Sequence, residues 1–405
     1  MRPAFVLDIG SSKVSCMAAE LVEGKLKLLG AAAVGTRGFA RGSVTDLDEL
    51  SKCLAVAFER LRQESKLELQ PFFVSISGTS LHSETSRGVR PMYPSDKPVH
   101  QEDLLQVVNH SKQIKFEEGQ ALVQATPREY VLSNGEIVDD PMGKTTERLE
   151  VRTQIVTASE EHMNAIRSAI QTAGGEVEEF VPAPMASAMG VAGDSADPGC
   201  IVVDLGGGTT DVAVILRGAC AFVGSIRVSS EHITNDVAAL LKVSKEEADA
   251  LKLTYGSTEP GGVDEADVLK IKQKGADESR PFPRKVLCEI IESRSKEIAE
   301  MCKAMVEASD VNEELPSQII LTGGGSQLPG FAGLFGAVFG NKPCKVVSPK
   351  IGGTNSSKVS VPEMATLIGL AEFALEEEDD QLVPASGANS WKDKIRTFKQ
   401  RLGGG

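Results

Sequence analysis

The sequence predicts an α/β fold built from two similar halves, because one short motif occurs twice in the same frame. In the first copy an apolar run contains Asp8, and one further apolar residue separates this aspartate from Gly10. In the second copy Asp204 and Gly206 stand in the same arrangement at the end of another apolar run. Each copy then continues as strand, turn and strand, which is the pattern of a β-hairpin. Such a repeat indicates a duplicated α/β unit with a cleft between its two copies.

Both glycine turns have the composition of phosphate-binding loops, although two unrelated β-turns are the structural alternative. Glycine tolerates positive φ angles and lets backbone N–H groups approach an anion closely. A carboxylate beside a phosphate needs a cation between them, and Mg²⁺ bound partly through water suits carboxylates. We therefore predict that the two turns hold a nucleotide polyphosphate from both sides, with Asp8 and Asp204 orienting Mg²⁺ through water. The predicted phosphate-binding residues are Gly10, Ser11, Ser12, Lys13, Gly206, Gly207, Gly208, Thr209 and Thr210.

A third glycine turn follows later in the chain. The segment 318–321 reads as a short buried strand, and Gly323, Gly324 and Gly325 follow it before a helix. Bare glycines leave room for a flat ring or a ribose. The order of the three turns resembles that of the actin, Hsp70 and sugar-kinase superfamily, in which two phosphate motifs precede an adenosine motif. The resemblance implies ATP as the nucleotide, with these glycines beside the nucleoside.

Composition narrows the class of protein further. The 405 residues suffice for more than one domain, and 41% hydrophobic and 25% charged residues are ordinary for a globular chain. A net charge of −14 argues against a nucleic-acid partner, whose phosphates require a basic face. The seven cysteines form no C-x-x-C pair and the five histidines are dispersed, which favours reduced thiols over disulfides or a zinc site. We expect no secretory signal and no membrane-spanning run.

Apolar periodicity predicts the helices. Leu47, Leu50, Leu54 and Phe58 share one face of a predicted helix over 46–61. Equivalent patterns predict further helices, and a loop-rich stretch is expected over 256–275. The other predicted helices lie near 102–114 and over 160–173, 233–241, 245–253, 285–308 and 363–375.

Changes in pattern along the chain predict its domains. Short polar strands between 79 and 157 predict a subdomain inserted into the first half. The acidic stretch 376–389 lacks periodicity and predicts a flexible linker before a last helix at 390–402. The remaining residues form two halves. The first half is assigned to 1–78, 158–195 and 358–375, and the second to 196–357 with about 229–312 as its outer subdomain.

Motifs outside the glycine turns resemble the FtsA family of actin-like bacterial cell-division proteins. The segments 140–143 (DPMG) and 148–150 (RLE) are similar to the end of the subdomain that is inserted in that family. Residues 232–238 (HITNDVA) resemble a family helix on the far side of the nucleotide, and 289–294 (EIIESR) resembles a further family motif. The resemblance covers almost the whole chain and includes the inserted subdomain.

Three positions depart from the family pattern. Ala183 stands where members often have a glutamate, and an acid or a glutamine in this region of actin-like ATPases orients the attacking water. The resemblance therefore implies ATP hydrolysis that is slow at most, with no confident catalytic residue. Ser229 and Ser230 replace a Gly-Gly pair, from which we expect a looser contact. Asp249 stands where a longer glutamate usually pairs with Lys252 near the ribose.

The last stretch of the chain reads as a basic amphipathic helix. Its apolar residues Trp391, Ile395, Phe398 and Leu402 fall within an arc of about 60° at helical spacing. A tethered helix of this kind is typical of an interfacial membrane anchor, and FtsA proteins carry a membrane-targeting helix at this position. A helix docked on the protein's own body is the structural alternative. The flanking basic residues, expected to contact anionic lipids, are Lys392, Lys394, Arg396, Lys399 and Arg401.

The resemblance implies an ATP-binding protein that polymerises like actin and tethers the FtsZ ring to the cytoplasmic face of the inner membrane. The implied partners are the C-terminal tail of FtsZ, further copies of this chain, anionic lipids and other division proteins. Lys285 and Arg294 lie in the segment that resembles the pocket for the FtsZ tail. A small-molecule kinase of the same superfamily is an alternative, but the sequence offers no convincing carboxylate base for it. A pilus-assembly ATPase similar to PilM is another alternative, but it would lack the tail helix.

Overall fold

The computed structural model describes most of the chain. The described residues are 2–94, 96–196, 198–275, 278–351 and 361–378. The predicted linker beyond Glu378 and the predicted helix at 390–402 lie outside them. No helix among the described residues is both long enough and apolar enough to cross a bilayer.

The first half contains a five-stranded mixed sheet. Strands β1 (Ala4–Ile9), β2 (Lys13–Val22) and β3 (Lys25–Gly35) form an antiparallel meander. A small hairpin of β4 (Phe39–Ala40) and β5 (Ser43–Val44) follows, and β6 (Phe72–Ile76) lies parallel to β1 on its other side. Strand β11 (Val177–Pro182) pairs with β6, so the strand order is β3-β2-β1-β6-β11.

The second half repeats this sheet strand for strand. Its meander consists of β12 (Cys200–Leu205), β13 (Thr210–Leu216) and β14 (Ala219–Ile226). Strands β17 (Ile319–Thr322) and β18 (Cys344–Val346) continue the sheet in parallel. The order β14-β13-β12-β17-β18 and the strand directions match those of the first sheet. The predicted duplication of an α/β unit is confirmed.

Most helices begin and end within a few residues of their predicted ranges. Asp46 caps the first helix by accepting a hydrogen bond from the Glu49 N–H at 3.0 Å. The stretch predicted as loop contains β15 (Val268–Ile271), which pairs with β16 (Arg280–Pro283). The last helix reaches Glu378, so residues 376–378 are helical and not part of the linker. The helices of the two halves are α1 (Leu47–Ser65), α3 (Glu160–Thr172), α4 (Ala183–Val191), α5 (Ser230–Leu241), α6 (Lys245–Tyr255), α7 (Arg284–Glu307), α8 (Phe331–Val338) and α9 (Ala365–Glu378).

The inserted subdomain forms a sheet of its own, and the prediction that its strands are short was wrong. Three of the strands have 10, 13 and 12 residues. One face of this sheet is buried under a helix, so polar residues on the other face interrupt the apolar pattern without ending the strands. The elements are β7 (His82–Pro91), α2 (Gln101–Ser111), β8 (Gln120–Leu132), β9 (Ile137–Val138) and β10 (Arg148–Ser159), with strand order β7-β10-β8-β9.

The inserted subdomain is bonded to the second half along β14. The Glu129 carboxylate is buried and accepts hydrogen bonds from Arg152 of the insertion at 2.7 Å and from Arg217 of the second half at 2.5 Å. The Val223 N–H in β14 donates to the Ser83 hydroxyl at 3.1 Å. Removing either arginine would leave a buried carboxylate with less compensation, so these contacts fix the insertion against β14.

Helices α4 and α9 cross between the two sheets and join the halves. Helix α9 packs on β1, β2 and β6 of the first sheet, and α4 packs on β12 and β13 of the second. A Cβ added to Gly369 would lie 1.8 Å from the Ala186 carbonyl oxygen, and one added to Gly190 would lie 2.5 Å from the Ala365 carbonyl oxygen. Both distances are far below van der Waals contact, so this crossing requires glycine on both helices.

Gly369→Ala should therefore destabilise the protein. The added methyl group meets backbone that cannot move aside, and overpacking of this kind costs about 1–3 kcal/mol in the free energy of unfolding. Denaturant unfolding measures the change. Gly333→Ala in α8 is the matched control, because its Cβ would meet only the Glu259 carboxylate at 3.8 Å. The control should be neutral or stabilising by up to about 1 kcal/mol. A Gly369→Ala variant as stable as the parent would show that the two helices can move apart enough to accommodate the methyl group.

Candidate functional site

The two glycine turns have the same geometry and meet tip to tip. The Gly10 N–H donates to the Lys13 carbonyl oxygen at 3.0 Å, and the Gly206 N–H donates to the Thr209 carbonyl oxygen at 3.0 Å. A Cβ added to Gly208 would lie 2.0 Å from the Ser11 hydroxyl oxygen. The turns thus touch through atoms that only glycine leaves uncovered. This arrangement brings together the backbone N–H groups of both turns, as a polyphosphate site requires.

The side chains of the predicted phosphate-binding residues differ in what they contact. The Ser11 hydroxyl accepts a hydrogen bond from the Arg41 N–H at 2.8 Å. A Cβ on Gly207 would lie 3.1 Å from the Ser12 Cβ, which places Ser12 against the second turn. Thr210 is fully buried, and its hydroxyl donates to the Val228 carbonyl oxygen at 2.7 Å. The Thr210 side chain is therefore engaged inside the second half.

Hydroxyl groups hold the two predicted aspartates. Asp8 accepts a hydrogen bond from the Ser75 hydroxyl at 2.6 Å. Asp204 accepts hydrogen bonds from Ser187 of α4 at 2.5 Å and from Thr366 of α9 at 3.0 Å. The helix crossing that joins the halves therefore also positions the Asp204 carboxylate.

A third aspartate belongs to this site, and the sequence analysis missed it. Asp211 stands directly opposite Asp204 in the ladder of β12 and β13, so both side chains lie on one face of the sheet. Its Oδ1 atom is buried and has no hydrogen-bond partner among the described residues. Ser15 occupies the matching position opposite Asp8, and its buried hydroxyl also lacks a partner there. The register of the two hairpins was the signal that could have identified Asp211.

Burial and mutual repulsion disfavour the charged forms of these carboxyl groups. Burial raises the pKa of Asp8 to about 6 and that of Asp211 to about 8, and the charge of the nearby Asp204 contributes to both shifts. Burial also raises the pKa of Asp204. A hard cation would relieve the repulsion, since Mg²⁺ prefers oxygen ligands. Among the described residues no three acidic, histidine or cysteine side chains are placed to hold one ion directly. A cation here would therefore need water or phosphate oxygens as its other ligands.

The third glycine turn lies against Asp204. Gly323 has φ +82°, and its Cβ would lie 2.2 Å from the Asp204 carboxylate. A Cβ on Gly325 would lie 2.5 Å from the Leu205 side chain. A Cβ on Gly324 would make only an ordinary contact, with the Glu363 Cβ at 3.9 Å. Packing thus explains two of the three glycines but not Gly324.

Glu363 was not foreseen, and it lies between the first and third turns. Its carboxylate is 3.7 Å from the Lys13 ammonium and accepts a hydrogen bond from Gln327 at 2.9 Å. The neighbouring Pro362 carbonyl oxygen accepts the Gly323 N–H at 3.1 Å. The start of α9 therefore borders the site, which no local pattern indicated.

Lys252 and Asp249 are paired in the structure, although Asp249 is shorter than the glutamate that usually stands at its position. The Lys252 ammonium is buried, lies 2.8 Å from the Asp249 carboxylate and donates to the Thr234 and Ser230 hydroxyls at 2.7 and 3.2 Å. Burial opposes ionisation of Asp249, but Lys252 and Thr234 hold its pKa below the ordinary value. The Ser230 Cβ would lie 2.9 Å from a Cβ on Gly325, so this pair adjoins the third turn.

Ser229 and Ser230, where a looser contact was expected, bond the start of α5 to the second glycine turn. The Ser229 hydroxyl donates to the Gly207 carbonyl oxygen, which also accepts the Glu231 N–H at 3.1 Å. The Ser230 N–H donates to the Gly206 carbonyl oxygen at 3.4 Å. The hydroxyl adds a bond that glycine could not make, so the first turn of α5 is fastened to the second glycine turn.

Other predicted residues lie away from the glycine turns. Ala183 is buried at the start of α4, one helical turn before Ser187. Lys285 and Arg294 lie on α7, and both are paired with acids: Lys285 with Glu265 at 3.1 Å and Arg294 with Asp236 at 2.6 Å. The residues of the predicted membrane helix lie outside the described residues.

The raised pKa values make a testable statement about stability. A carboxyl group whose folded pKa exceeds its unfolded value of 3.8 binds more protons in the folded state, so stability falls as the pH rises from about 4 to 8. Asp211→Asn removes a carboxyl group whose pKa is raised to about 8, and with it the repulsion between Asp211 and Asp8. Thermal unfolding without nucleotide or Mg²⁺ should therefore show a smaller loss between about pH 5 and pH 8 for this variant than for the parent. Asp96→Asn, an exposed carboxyl in the insertion, should follow the parent. Parallel curves for Asp211→Asn and the parent would contradict the assignment.

Solved structures share the fold at low sequence identity. A chain of a PilM–PilN type IV pilus biogenesis complex superposes with a TM-score of 0.64 at 18% identity, covering 92% of this chain and 98% of that chain. MreB5 of Spiroplasma citri bound to AMPPNP gives a TM-score of 0.55 at 14% identity, covering 94% and 98%. A chain of the MamK double helical filament gives 0.52 at 12% identity, covering 95% and 100%. The fold is therefore actin-like.

Sequence comparisons identify the family. The model described as "Cell division protein FtsA" matches residues 201–369, and the model described as "SHS2 domain inserted in FTSA" matches residues 78–157. The cell division protein FtsA of Neisseria meningitidis serogroup B is 28% identical over 403 residues, covering 99% of this chain and 94% of the relative. FtsA of Pseudomonas aeruginosa is 26% identical over 387 residues, covering 95% and 92%. FtsA of Escherichia coli K12 is 25% identical over 410 residues, covering 98% and 97%. Together the two family models match more than half of the residues, and the chain belongs to the FtsA family of actin-like cell-division proteins.

Proposed function

We propose that this protein binds ATP with Mg²⁺, polymerises, and tethers the FtsZ ring to the cytoplasmic face of the inner membrane. The proposal of nucleotide binding rests on the direct contact between two matching glycine turns that lie beside three buried carboxylates. Membership in the FtsA family supports a role in division, and an actin-like fold supports self-association. Recruitment of further division proteins belongs to the same proposal.

The residues fit a Mg²⁺–polyphosphate ligand. The turns Gly10–Lys13 and Gly206–Thr209 would hold the phosphates through N–H groups other than those of Gly10 and Gly206, which close the turns. Lys13 would exchange Glu363 for a phosphate oxygen. Asp8 and Asp204 would orient the ion through water. The unpartnered Oδ1 of Asp211 supports a further water ligand from the second hairpin. The ion would neutralise the charge that burial and repulsion make costly on these carboxylates.

ATP serves mainly as a conformational and polymerisation ligand in this proposal. Hydrolysis needs a group that orients the attacking water. Ala183 offers no such group, although its helix carries the Ser187 hydroxyl to Asp204. Turnover should accordingly be slow, and filament assembly should depend on bound nucleotide more than on its hydrolysis.

Gly208→Ala tests the nucleotide site. The added Cβ would lie 2.0 Å from the Ser11 hydroxyl oxygen and 3.0 Å from the Arg41 nitrogen, so the two turns must separate. We expect a loss of about tenfold or more in Mg·ATP affinity, measured by titration with a fluorescent ATP analogue. Gly35→Ala at the end of β3 is the control, because a Cβ there meets nothing within 4 Å. Unchanged affinity in Gly208→Ala, with normal binding by the control, would refute the site.

The partner surface of the proposal lies on α7. Lys285 and Arg294 suit an acidic, partly apolar peptide that folds on binding, such as the C-terminal tail of FtsZ. The membrane contact is assigned to Trp391, Ile395, Phe398 and Leu402 with their basic neighbours. One helix of this length binds lipid reversibly, and a filament that presents many copies would strengthen attachment through avidity.

The single tryptophan of the chain allows a direct test of the membrane anchor. A helix of 13 residues is marginal in water, so we expect it to order on lipid, where each basic residue adds about 1 kcal/mol near an anionic surface. Anionic vesicles should shift the emission of Trp391 to the blue, and salt should weaken the effect. Phe398→Glu should abolish the shift, and vesicles of neutral lipid should produce less of it. Blue emission without lipid that vesicles leave unchanged would mean that the helix docks on the protein itself.

A further inference from the structure

Arg294 of α7 has its hydrogen-bonding edge occupied within the chain. Its Nε and Nη2 atoms donate to the two carboxylate oxygens of Asp236 at 2.6 and 3.1 Å, and its Nη1 atom donates to Glu297 at 2.5 Å. The first pair is the two-pronged geometry that makes arginine–carboxylate contacts strong and specific. Asp236 also raises the pKa of Arg294 further above its ordinary value, so the guanidinium stays charged. An incoming carboxylate would need the same edge.

Asp236 is held in place by the helix that carries it. The first turn of α5 is bonded to the Gly207 carbonyl oxygen through Ser229 and Glu231. One turn further on, Thr234 donates to Asp249 and accepts from Lys252 at 3.0 and 2.7 Å. These contacts hold the first two turns of α5, directly before Asp236, in place. The backbone of α5 therefore keeps the Asp236 carboxylate within reach of Arg294.

The charge balance around Arg294 is unfavourable to an acidic ligand. Two carboxylates, Asp236 and Glu297, face one guanidinium, and the side chains of Arg294 and Asp236 are 26% and 29% exposed. Partial burial strengthens this pair relative to a fully exposed one. Leu240 stands one helical turn after Asp236 and is 65% exposed, so an exposed apolar side chain lies on the same face of α5 as this carboxylate. The surface thus combines an apolar side chain with a basic one, and carboxylates of the same chain neutralise the charge of Arg294.

We propose that Asp236 is an internal competitor that masks Arg294 from the acidic peptide partner. The inference rests on the proposed function, in which that peptide binds this face of α7. The peptide must displace the Asp236 carboxylate from the guanidinium. The free energy of binding therefore contains the gain from the contact of the peptide with Arg294 minus the loss of the contact between Asp236 and Arg294. Lys285 is masked more weakly, because its partner Glu265 is 86% exposed at a single 3.1 Å contact.

Asp236→Asn in the full-length protein tests the masking. The variant keeps the shape of the side chain and removes its charge, so Arg294 becomes available to the peptide. A labelled synthetic peptide with the acidic FtsZ tail sequence should bind roughly threefold to tenfold more tightly by fluorescence anisotropy. Glu300→Gln on α7, the helix that carries Arg294, is the matched control, since Glu300 contacts Lys296 at 3.9 Å. It removes the same charge from the surface and should change affinity less than about twofold.

A double-mutant cycle separates masking from other effects of the substitution. In an Arg294→Gln background, Asp236→Asn should no longer strengthen binding, because the masked group is absent. Thermal unfolding and nucleotide binding establish that each variant is folded.

Three results would overturn the proposal. Weaker binding by Asp236→Asn would mean that Asp236 positions Arg294 for the peptide. An equal gain in Glu300→Gln, or a gain that persists without Arg294, would mean that overall charge is responsible. Absence of peptide binding by the parent and by every folded variant would refute the proposed partner itself, and the masking inference with it.

Discussion

The close crossing of α4 and α9 is the constraint on which the remaining structure depends. Each helix packs on a different sheet, so the backbone contact at Gly190 and Gly369 sets the distance between the halves. Ser187 precedes Gly190 by three residues, and Thr366 precedes Gly369 by three. The same spacing on both helices brings two hydroxyls to one carboxylate, that of Asp204. The same arrangement of α4 and α9 therefore sets both the packing at the crossing and the hydrogen bonds to Asp204.

The site itself is electrostatically costly in the absence of a ligand. Three aspartates are buried close together; burial raises the pKa of each, and repulsion from the neighbouring aspartates adds to the shift at Asp8 and Asp211. Hydroxyl donors offset part of the cost, but the Oδ1 atom of Asp211 is buried without a partner among the described residues. Perturbed carboxyl groups of this kind are typical of functional sites, because a protein retains such a cost only where a ligand relieves it.

The sequence predicted what depends on local pattern, and it missed what depends on tertiary contact. The two hairpins and the duplicated sheet could be predicted because motif spacing specifies them. Asp211 and Glu363 could not, since strand register and the position of α9 bring them to the site. The length of the strands in the insertion was underestimated, because polar residues on the face that is not buried interrupt the apolar pattern in the sequence. The hydrogen bond from Ser229 to Gly207 could not be predicted either, because it depends on how the start of α5 lies against the second turn.

The attachment of the inserted subdomain has a consequence for how the protein behaves in solution. Strand β14 ends the strand order of the second sheet, and six of its eight residues are buried. An uncovered strand of this kind offers free N–H and C=O groups on which other chains can pair and aggregate. The insertion lies along it, and the Ser83 hydroxyl accepts one of those N–H groups, that of Val223. A form of this protein without the insertion would expose a long, apolar, unpaired strand edge. The inserted subdomain therefore also covers this edge and prevents non-specific aggregation between copies of the protein.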